Sequence, residues 1–175
     1  GLSATVADPP ALAKWLSKTA GRADDVSLVV GEAGAAPDIK VIHAKARVPW
    51  SGHMAMHAMP DVYEALKTAD SAIVFVNTRA QAEMAFQALW RLNEDHLAIA
   101  LHHGSLAVEQ RRKVEAAMAA GKLRAVIATS SLDLGIDWGN VDLVVQVGAP
   151  KGAARLLQRI GRANHRLDAP SRALL

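Results

Sequence analysis

The chain has 175 residues, of which 51% are apolar and 21% are charged, so it fits one compact domain and excludes a wholly disordered or collagen-like protein. Its 20 Lys and Arg residues exceed its 17 Asp and Glu residues only slightly, which gives a net charge of +3. It has no cysteine, which excludes disulfides, thiolate catalysis and cysteine zinc sites and predicts a reducing, cytoplasmic setting. No apolar run approaches the ~18 to 20 residues of a membrane span, which excludes a membrane partner.

The first 50 residues predict a lead-in segment that precedes the central fold. Pro9 and Pro10 can open a helix over residues 11–19, because proline lacks only an N–H that the first helical turn does not use. Residues 26–30 and 39–48 predict two strands joined by a turn-rich connection, and a second break begins at Pro49. We therefore expect residues 1–50 to dock on, or enter, a core that begins near residue 60.

Four short apolar runs predict buried strands, over residues 72–76, 97–101, 123–128 and 143–147. None of them alternates apolar with polar residues, which indicates a parallel sheet covered on both faces. Helical stretches separate the runs, over residues 79–92, 109–120 and 152–160. For the middle helix, Ser105 is the expected N-cap and Gly121 the expected stop. The predicted fold class is therefore α/β, with a doubly wound, mainly parallel sheet flanked by helices.

Several patterns typical of a self-sufficient enzyme are missing from the sequence. It contains no Gly-x-x-x-x-Gly-Lys-Ser/Thr phosphate loop, no Gly-x-Gly-x-x-Gly, no Gly-x-Ser-x-Gly and no His-Glu-x-x-His. His102 and His103 are neighbours at the end of a predicted strand, so they should point to opposite faces and cannot hold one metal ion together. We therefore expect neither a metal site nor a small-molecule α/β enzyme.

A row of arginines near the end of the chain is the strongest candidate site. The row consists of Arg155 and of arginines 4, 7 and 11 residues further on, namely Arg159, Arg162 and Arg166. On a continuous helix they would share an arc of about 40°. No Asp or Glu lies between residues 151 and 167, so a group outside the helix has to relieve their repulsion, and Arg binds phosphate well. A solvated basic helix end that complements the helix dipole would explain the same row.

Polar turns follow three of the predicted strands. They carry Thr78 and Arg79 after the first run, Gly104 and Ser105 after the second, and Thr129 after the third. The third turn continues to residue 137 with further hydroxyls, a glycine and two carboxylates. The carboxyl ends of parallel strands form a ligand-binding edge, where hydroxyls and N–H groups suit phosphate and a carboxylate suits a ribose. A polyanion across this edge would touch all three turns, although a turn that caps the next element would explain the third one equally well.

Two tryptophans, Trp50 and Trp138, lie in turn-like surroundings. There an indole could stack on a nucleic-acid base. Burial against the sheet is the favoured interpretation of both residues, because the chain is poor in aromatics and its core needs bulk.

Four motifs in the expected order resemble those of superfamily 2 helicases. Residues 158–163 resemble motif VI, residues 128–137 motif V, residues 75–79 motif IV and residues 2–5 motif III. The turn at residues 102–105 and the segment 162–168 are similar to the large-helicase-related, ligase-associated DEXH-box branch. The resemblance implies a second RecA-like domain over residues 51–175, truncated at its carboxyl end. Residues 1–50 would be the end of the first motor domain and the linker.

The resemblance implies an ATP-dependent DNA helicase in which ATP and Mg²⁺ are held by a first domain that this sequence does not contain. Since residue 1 is not methionine, we expect a fragment, which alone should not hydrolyse ATP. Arg162 would be the arginine finger on the γ-phosphate, and Arg159 would bridge to the phosphates or to the partner domain. Gly135 and Asp137 would touch the ribose. The commoner motif VI has an arginine where this chain has His165, so either His165 or Arg166 would make that phosphate contact.

For the other residues the resemblance implies contacts with nucleic acid and with the first domain. The strand backbone would be held by Thr78, Arg79, Gly104 and Thr129, and the two sites would be coupled by Ser3, Thr5 and Gln158. Expected partners are single-stranded DNA in preference to RNA, the first RecA-like domain, and DNA ligase or repair factors near the nucleoid. The alternative is a RecA-like module that binds nucleic acid or docks proteins without motor activity.

Overall fold

The computed structural model describes residues 8–19, 27–29, 35–50, 54–133, 141–163 and 170–175. Contacts divide the chain into two compact units, residues 1–34 and 35–175. In the first unit the predicted helix is confirmed as α1 (Pro9–Thr19), and the N–H of Ala11 donates to the Asp8 carboxylate at 3.0 Å. Residues 27–29, the described part of the strand predicted over residues 26–30, are not in a strand.

The second unit contains a six-stranded sheet in which every neighbouring pair is parallel. The strands are β1 (Asp38–Lys40), β2 (Ala72–Phe75), β3 (Ile99–His102), β4 (Ala125–Ala128), β5 (Leu143–Gln146) and β6 (Arg172–Leu174). Their order is β1-β6-β5-β2-β4-β3. The four apolar runs thus became β2 to β5, and the predicted α/β class with a parallel sheet is confirmed.

The lead-in segment enters this sheet through a shorter strand than the sequence predicts. The prediction of a strand over residues 39–48 is wrong beyond its first residues, since β1 spans only Asp38–Lys40. One more backbone hydrogen bond follows β1, in which the N–H of Ile42 donates to the carbonyl of Leu175, the residue after β6, at 2.8 Å. Residues 41–50 then form neither a helix nor a strand.

Helices cover both faces of the sheet. They are α2 (Met59–Thr68), α3 (Arg79–Leu92), α4 (Val108–Ala119) and α5 (Ala153–Ile160), with single 3₁₀ turns at Met56–Ala58 and Ser130–Leu132. The prediction for α3 is confirmed residue by residue, and Gly121 ends α4 in the left-handed region at φ 65° as expected. The expected N-cap of α4 is wrong, because Ala107 occupies that position and Ser105 lies earlier in the turn.

The core has two parts because strand residues point alternately to the two faces. On one face α2 and α3 pack against residues such as Val74 and Ile127. On the other face Met118 of α4 and the segment after α5 pack against residues such as Phe75 and Val126. Within the described residues, no helix combines the length and apolarity that crossing a membrane would require.

Candidate functional site

The three polar turns lie at one edge of the sheet. The last residues of three adjacent strands are level with one another, since Phe75 of β2 pairs with Ala128 of β4, and His102 of β3 pairs with the same Ala128. The segments that begin with Asn77, Thr129 and His103 therefore leave the sheet side by side. The strand ends at which the sequence predicts ligand binding therefore form one continuous edge.

Thr78 begins α3 and is the first polar side chain of this edge. Its hydroxyl accepts the N–H of Gln81 at 3.1 Å, which caps the helix. A hydroxyl that accepts one bond can still donate another, so the same group can bind a phosphate oxygen. Thr78 is exposed, so a ligand can reach this hydroxyl.

Arg79 and Gly104 extend this edge from β2 to β3. The guanidinium of Arg79 donates to the hydroxyl of Ser105, across the intervening end of β4. Gly104 is exposed, and a Cβ built on it would meet no atom within 4 Å, so its backbone is open to a ligand. Thr129 lies between them and is 8% exposed. The structure therefore brings together the four residues for which we expect contact with a nucleic-acid backbone.

The two histidines at this edge point to opposite faces. His102 lies between the Ser131 hydroxyl, 2.8 Å from its Nδ1, and the Glu115 carboxylate of α4, 3.0 Å from its Nε2. His103 lies 3.2 Å from Glu83 of α3. Burial lowers the pKa of His102, against the opposing effect of Glu115. Among the described residues no three His, Asp or Glu side chains converge as a metal site would need.

The arginine row does not lie on one helix. Its first two members belong to α5, but the helix ends at Ile160 and Arg162 lies in the turn that follows. The continuous helix on which the arginines would share one face is not formed, because α5 ends at Ile160, in agreement with the helix predicted over residues 152–160. Gln158, expected to couple the domains, is partly exposed on α5.

The group that relieves the repulsion within the row comes from the same chain. The carboxylate of Asp133 lies 2.8 Å from the Nε of Arg159 and 3.5 Å from the Nε of Arg155. One carboxylate balances only one of the two positive charges, so the same chain relieves the repulsion in part, which corrects the expectation that the relief comes only from a group outside it. The carbonyl of Asp133 also accepts a bond of 2.7 Å from Nη2 of Arg162.

Arg159 is the most confined of the three members of the row that the structure describes, with a side chain only 2% exposed. Its Nη1 donates to Gln146 at the end of β5 over 2.7 Å, and its guanidinium lies 4.6 Å from the centroid of the Phe75 ring. The expected bridge from Arg159 to phosphates or to a partner domain stays a prediction. Within this chain its guanidinium is held by Asp133, Gln146 and Phe75 at once.

Several predicted residues lie outside the described part of the chain. These are Ser3, Thr5, Gly135, Asp137, Trp138, His165 and Arg166, so their roles stay predictions. Trp50 is described and is 98% exposed, so the expectation of its burial is wrong.

Sequence reasoning missed Asp133 and Gln146, the two partners of Arg159. Asp133 was visible only as one of two carboxylates in the turn after β4, and Asp137 alone received a role. Gln146 ends an apolar run, where a buried amide is unusual enough to be a signal.

Comparison with known proteins gives the family. The profile named Helicase conserved C-terminal domain matches residues 55–166. The chain is 35% identical to the Lhr helicase/probable uracil glycosylase of Mycolicibacterium smegmatis, an alignment that covers 100% of this chain and 14% of that protein. It is 42% identical to the ATP-dependent helicase Lhr-Core protein 2 of Thermococcus barophilus, over 60% of this chain and 12% of that protein. The chain therefore spans about one seventh of the length of the first relative and slightly less of the second.

Solved structures agree with the sequence relatives. The structure of Mycobacterium smegmatis helicase Lhr bound to ssDNA and AMP-PNP matches with a TM-score of 0.85 and 38% identity, over 100% of this chain and 23% of that one. A point variant of S. cerevisiae Dbp5, bound to RNA and ADP BeF3, matches at 22% identity with a TM-score of 0.73, over 98% of this chain and 43% of that one, which shows the fold alone. The chain belongs to the helicase conserved C-terminal domain family and is a superfamily 2 helicase C-terminal domain of the Lhr type.

Proposed function

We propose that this chain is the C-terminal motor domain of an ATP-dependent DNA helicase and that it supplies Arg162 as the arginine finger. The observation that carries the proposal is the position of Arg162. It is partly exposed, and a 2.7 Å bond ties it to the segment that follows β4 at the ligand-binding edge. ATP and Mg²⁺ would be held by a first motor domain, and Arg162 would approach the γ-phosphate from this domain.

The chemistry expected of Arg162 is electrostatic. Charge that develops on the transferring γ-phosphoryl group is stabilised by a planar guanidinium, which donates two parallel bonds and keeps its charge at any working pH. In other phosphate-hydrolysing enzymes such a finger contributes a rate factor of about 10³ to 10⁵, or about 4 to 7 kcal/mol. Arg159 would serve the same site, Gly135 and Asp137 the ribose, and His165 or Arg166 a further phosphate.

The nucleic-acid partner proposed for the strand-end edge is single-stranded DNA. The open backbone of Gly104, the hydroxyls of Thr78 and Thr129 and the guanidinium of Arg79 suit the sugar-phosphate backbone and do not discriminate bases. A related Lhr structure is described as bound to ssDNA, which favours DNA over RNA. Ser3, Thr5 and Gln158 would couple the two sites. Contacts with DNA ligase or repair factors, and a nucleoid location, are proposed from the resemblance.

The proposed division of the chain follows from the same assignment. Residues 1–50 would hold the end of the first motor domain and the linker, and residues 51–175 the second RecA-like domain. The contacts divide at residue 34 and β1 already belongs to the sheet, so we replace the boundary at residue 50 and propose that the linker ends before Asp38.

The test is Arg162→Ala in the full-length enzyme. DNA-stimulated ATP turnover should fall by about 10³-fold or more, while ATP affinity changes much less, because a finger acts mainly in the transition state. Arg91→Ala is the matched control, since Arg91 is an exposed arginine in the last turn of α3, away from the strand ends at which α3 begins. Wild-type turnover of Arg162→Ala would remove the finger assignment and would favour the alternative, a binding or docking module without motor activity.

A further inference from the structure

Three arginines meet at one acidic residue that the proposed function does not use. Asp133 binds Arg159 through both carboxylate oxygens, at 2.8 Å to Nε and 3.5 Å to Nη2. The same carboxylate lies 3.5 Å from Arg155, and the backbone carbonyl of Asp133 accepts the 2.7 Å bond from Arg162. One residue thus contacts three members of the arginine row.

All three nitrogens of the Arg159 guanidinium have a partner in the chain. Asp133 holds its Nε and Nη2, Gln146 holds Nη1 at 2.7 Å, and the Phe75 ring covers one face. Gln146 is itself oriented, because its Nε2 donates to the carbonyl of Gly148 at 2.7 Å and so leaves its oxygen for the arginine. The exposed fractions of the paired side chains are 2% for Arg159 and 9% for Asp133, so water screens the pair little.

A buried ion pair of this kind is weak evidence for a contribution to stability, since the cost of desolvation offsets the attraction. The geometry of the pair does fix the position of the Arg159 guanidinium. Asp133 follows Thr129 of the strand-end edge in the same segment, and the 3₁₀ turn Ser130–Leu132 is all that separates the two. A shift at the proposed DNA contact would therefore move the residue that orients the arginines.

We infer that Asp133 is a positioning residue for the ATP reaction, which orients Arg159 through its carboxylate and Arg162 through its backbone carbonyl. This inference rests on the proposed function of Arg162. Asp133 touches neither ATP nor DNA in it, and acts only through the two arginines. Gln146 completes the same arrangement by holding the remaining nitrogen of Arg159.

The test is Asp133→Asn in the full-length enzyme, which keeps the shape of the side chain and removes its charge. We expect kcat for ATP to fall about 10- to 100-fold, because displacement of a reacting group by about 1 Å has an effect of this size. The KM for ATP and the affinity for single-stranded DNA should stay within about 2-fold, since no ground-state contact is lost. Wild-type kcat in Asp133→Asn would overturn the inference.

A matched control separates positioning from general destabilisation. Asp142→Asn breaks another Asp–Arg pair, in which Asp142 lies 3.6 Å from Arg172 next to the first residue of β5, at the edge opposite Gln146. It should lower the thermal midpoint without lowering kcat per folded molecule. An equal fall of kcat in Asp133→Asn and Asp142→Asn at equal thermal midpoints would show a merely structural role and would contradict the inference.

A double-mutant cycle with Arg159→Gln tests the pairing directly. If Asp133 acts through Arg159, the double variant Asp133→Asn/Arg159→Gln should be little slower than the slower single variant. Independent effects that multiply would overturn the inference. If Asp133→Asn does not fold, Gln146→Leu decides instead: a several-fold lower kcat at unchanged KM supports the inference, and wild-type kcat contradicts it.

Failure of this inference and failure of the proposed function give different results. A fully active Arg162→Ala would remove the finger and, with it, the reason to position an arginine. A fully active Asp133→Asn beside an inactive Arg162→Ala would remove only the positioning role.

Discussion

Thr78 has two predicted tasks that substitutions can separate. Its hydroxyl caps α3 through the 3.1 Å bond from Gln81, and it is proposed to bind a phosphate of single-stranded DNA. Thr78→Ala removes both functions. Loss of an N-cap costs about 1 kcal/mol, which lowers the thermal midpoint of a chain of this size by about 2 to 4 °C. Loss of a hydrogen bond to a charged phosphate costs about 1.5 to 3 kcal/mol, or roughly 10- to 100-fold in affinity.

Thr78→Asp keeps one task and abolishes the other. An aspartate caps a helix as well as a threonine does and interacts favourably with the helix dipole, so the thermal midpoint should not fall. The same carboxylate repels a phosphate, so the affinity for single-stranded DNA should fall further than in Thr78→Ala. Thermal unfolding and fluorescence anisotropy with a labelled oligonucleotide at fixed salt measure the two effects.

The ranking of these variants decides the assignment. The thermal midpoint of Thr78→Asp should be at or above that of the wild type, and that of Thr78→Ala should be below it. The affinity for single-stranded DNA should decrease from wild type to Thr78→Ala and further to Thr78→Asp. Wild-type DNA affinity in Thr78→Asp would refute the phosphate contact. An unchanged thermal midpoint in Thr78→Ala would refute the cap.

Two further predictions concern the buried histidine and the isolated chain. Burial lowers the pKa of His102 below its ordinary value of 6.5, so the unfolded chain takes up a proton at a higher pH than the folded chain does. The free energy of unfolding should therefore decrease as the pH falls from 6.5 towards the folded-state pKa, by at most about 1.4 kcal/mol per pH unit. His102→Gln should flatten this part of the curve of unfolding free energy against pH, and an unchanged slope would contradict it. The isolated chain should show no DNA-stimulated ATP turnover, because the phosphate loop is missing from its sequence; turnover that Arg162→Ala abolishes would contradict this.

The sheet and its helices were predictable because burial on both faces leaves a strong pattern in a parallel strand. Ile73 and Val74 point to opposite faces and are both fully buried, so no polar residue interrupts β2. The weaker predictions failed where local signals compete. Ser105 can cap a helix, but the chain places it against Arg79 and starts α4 later.

The candidate site was predictable at the level of segments and not of contacts. The polar turns were expected at one edge because parallel strands end together, and the register of Phe75, Ala128 and His102 makes them do so. The partner of Arg159 could not be found from the spacing of α5, because Asp133 is 26 residues away and reaches it only through the order β5-β2-β4. The end of α5 was predictable, since the helix expected over residues 152–160 stops before Arg162.

The central claim is that Arg162 meets the γ-phosphate of an ATP held by another domain. A structure of the full-length enzyme with single-stranded DNA and a non-hydrolysable ATP analogue measures this directly. We predict a guanidinium nitrogen of Arg162 within about 2.7 to 3.2 Å of a γ-phosphate oxygen, with Arg159 still bound to Asp133. A bound nucleotide whose γ-phosphate lies beyond the reach of Arg162 would contradict the account.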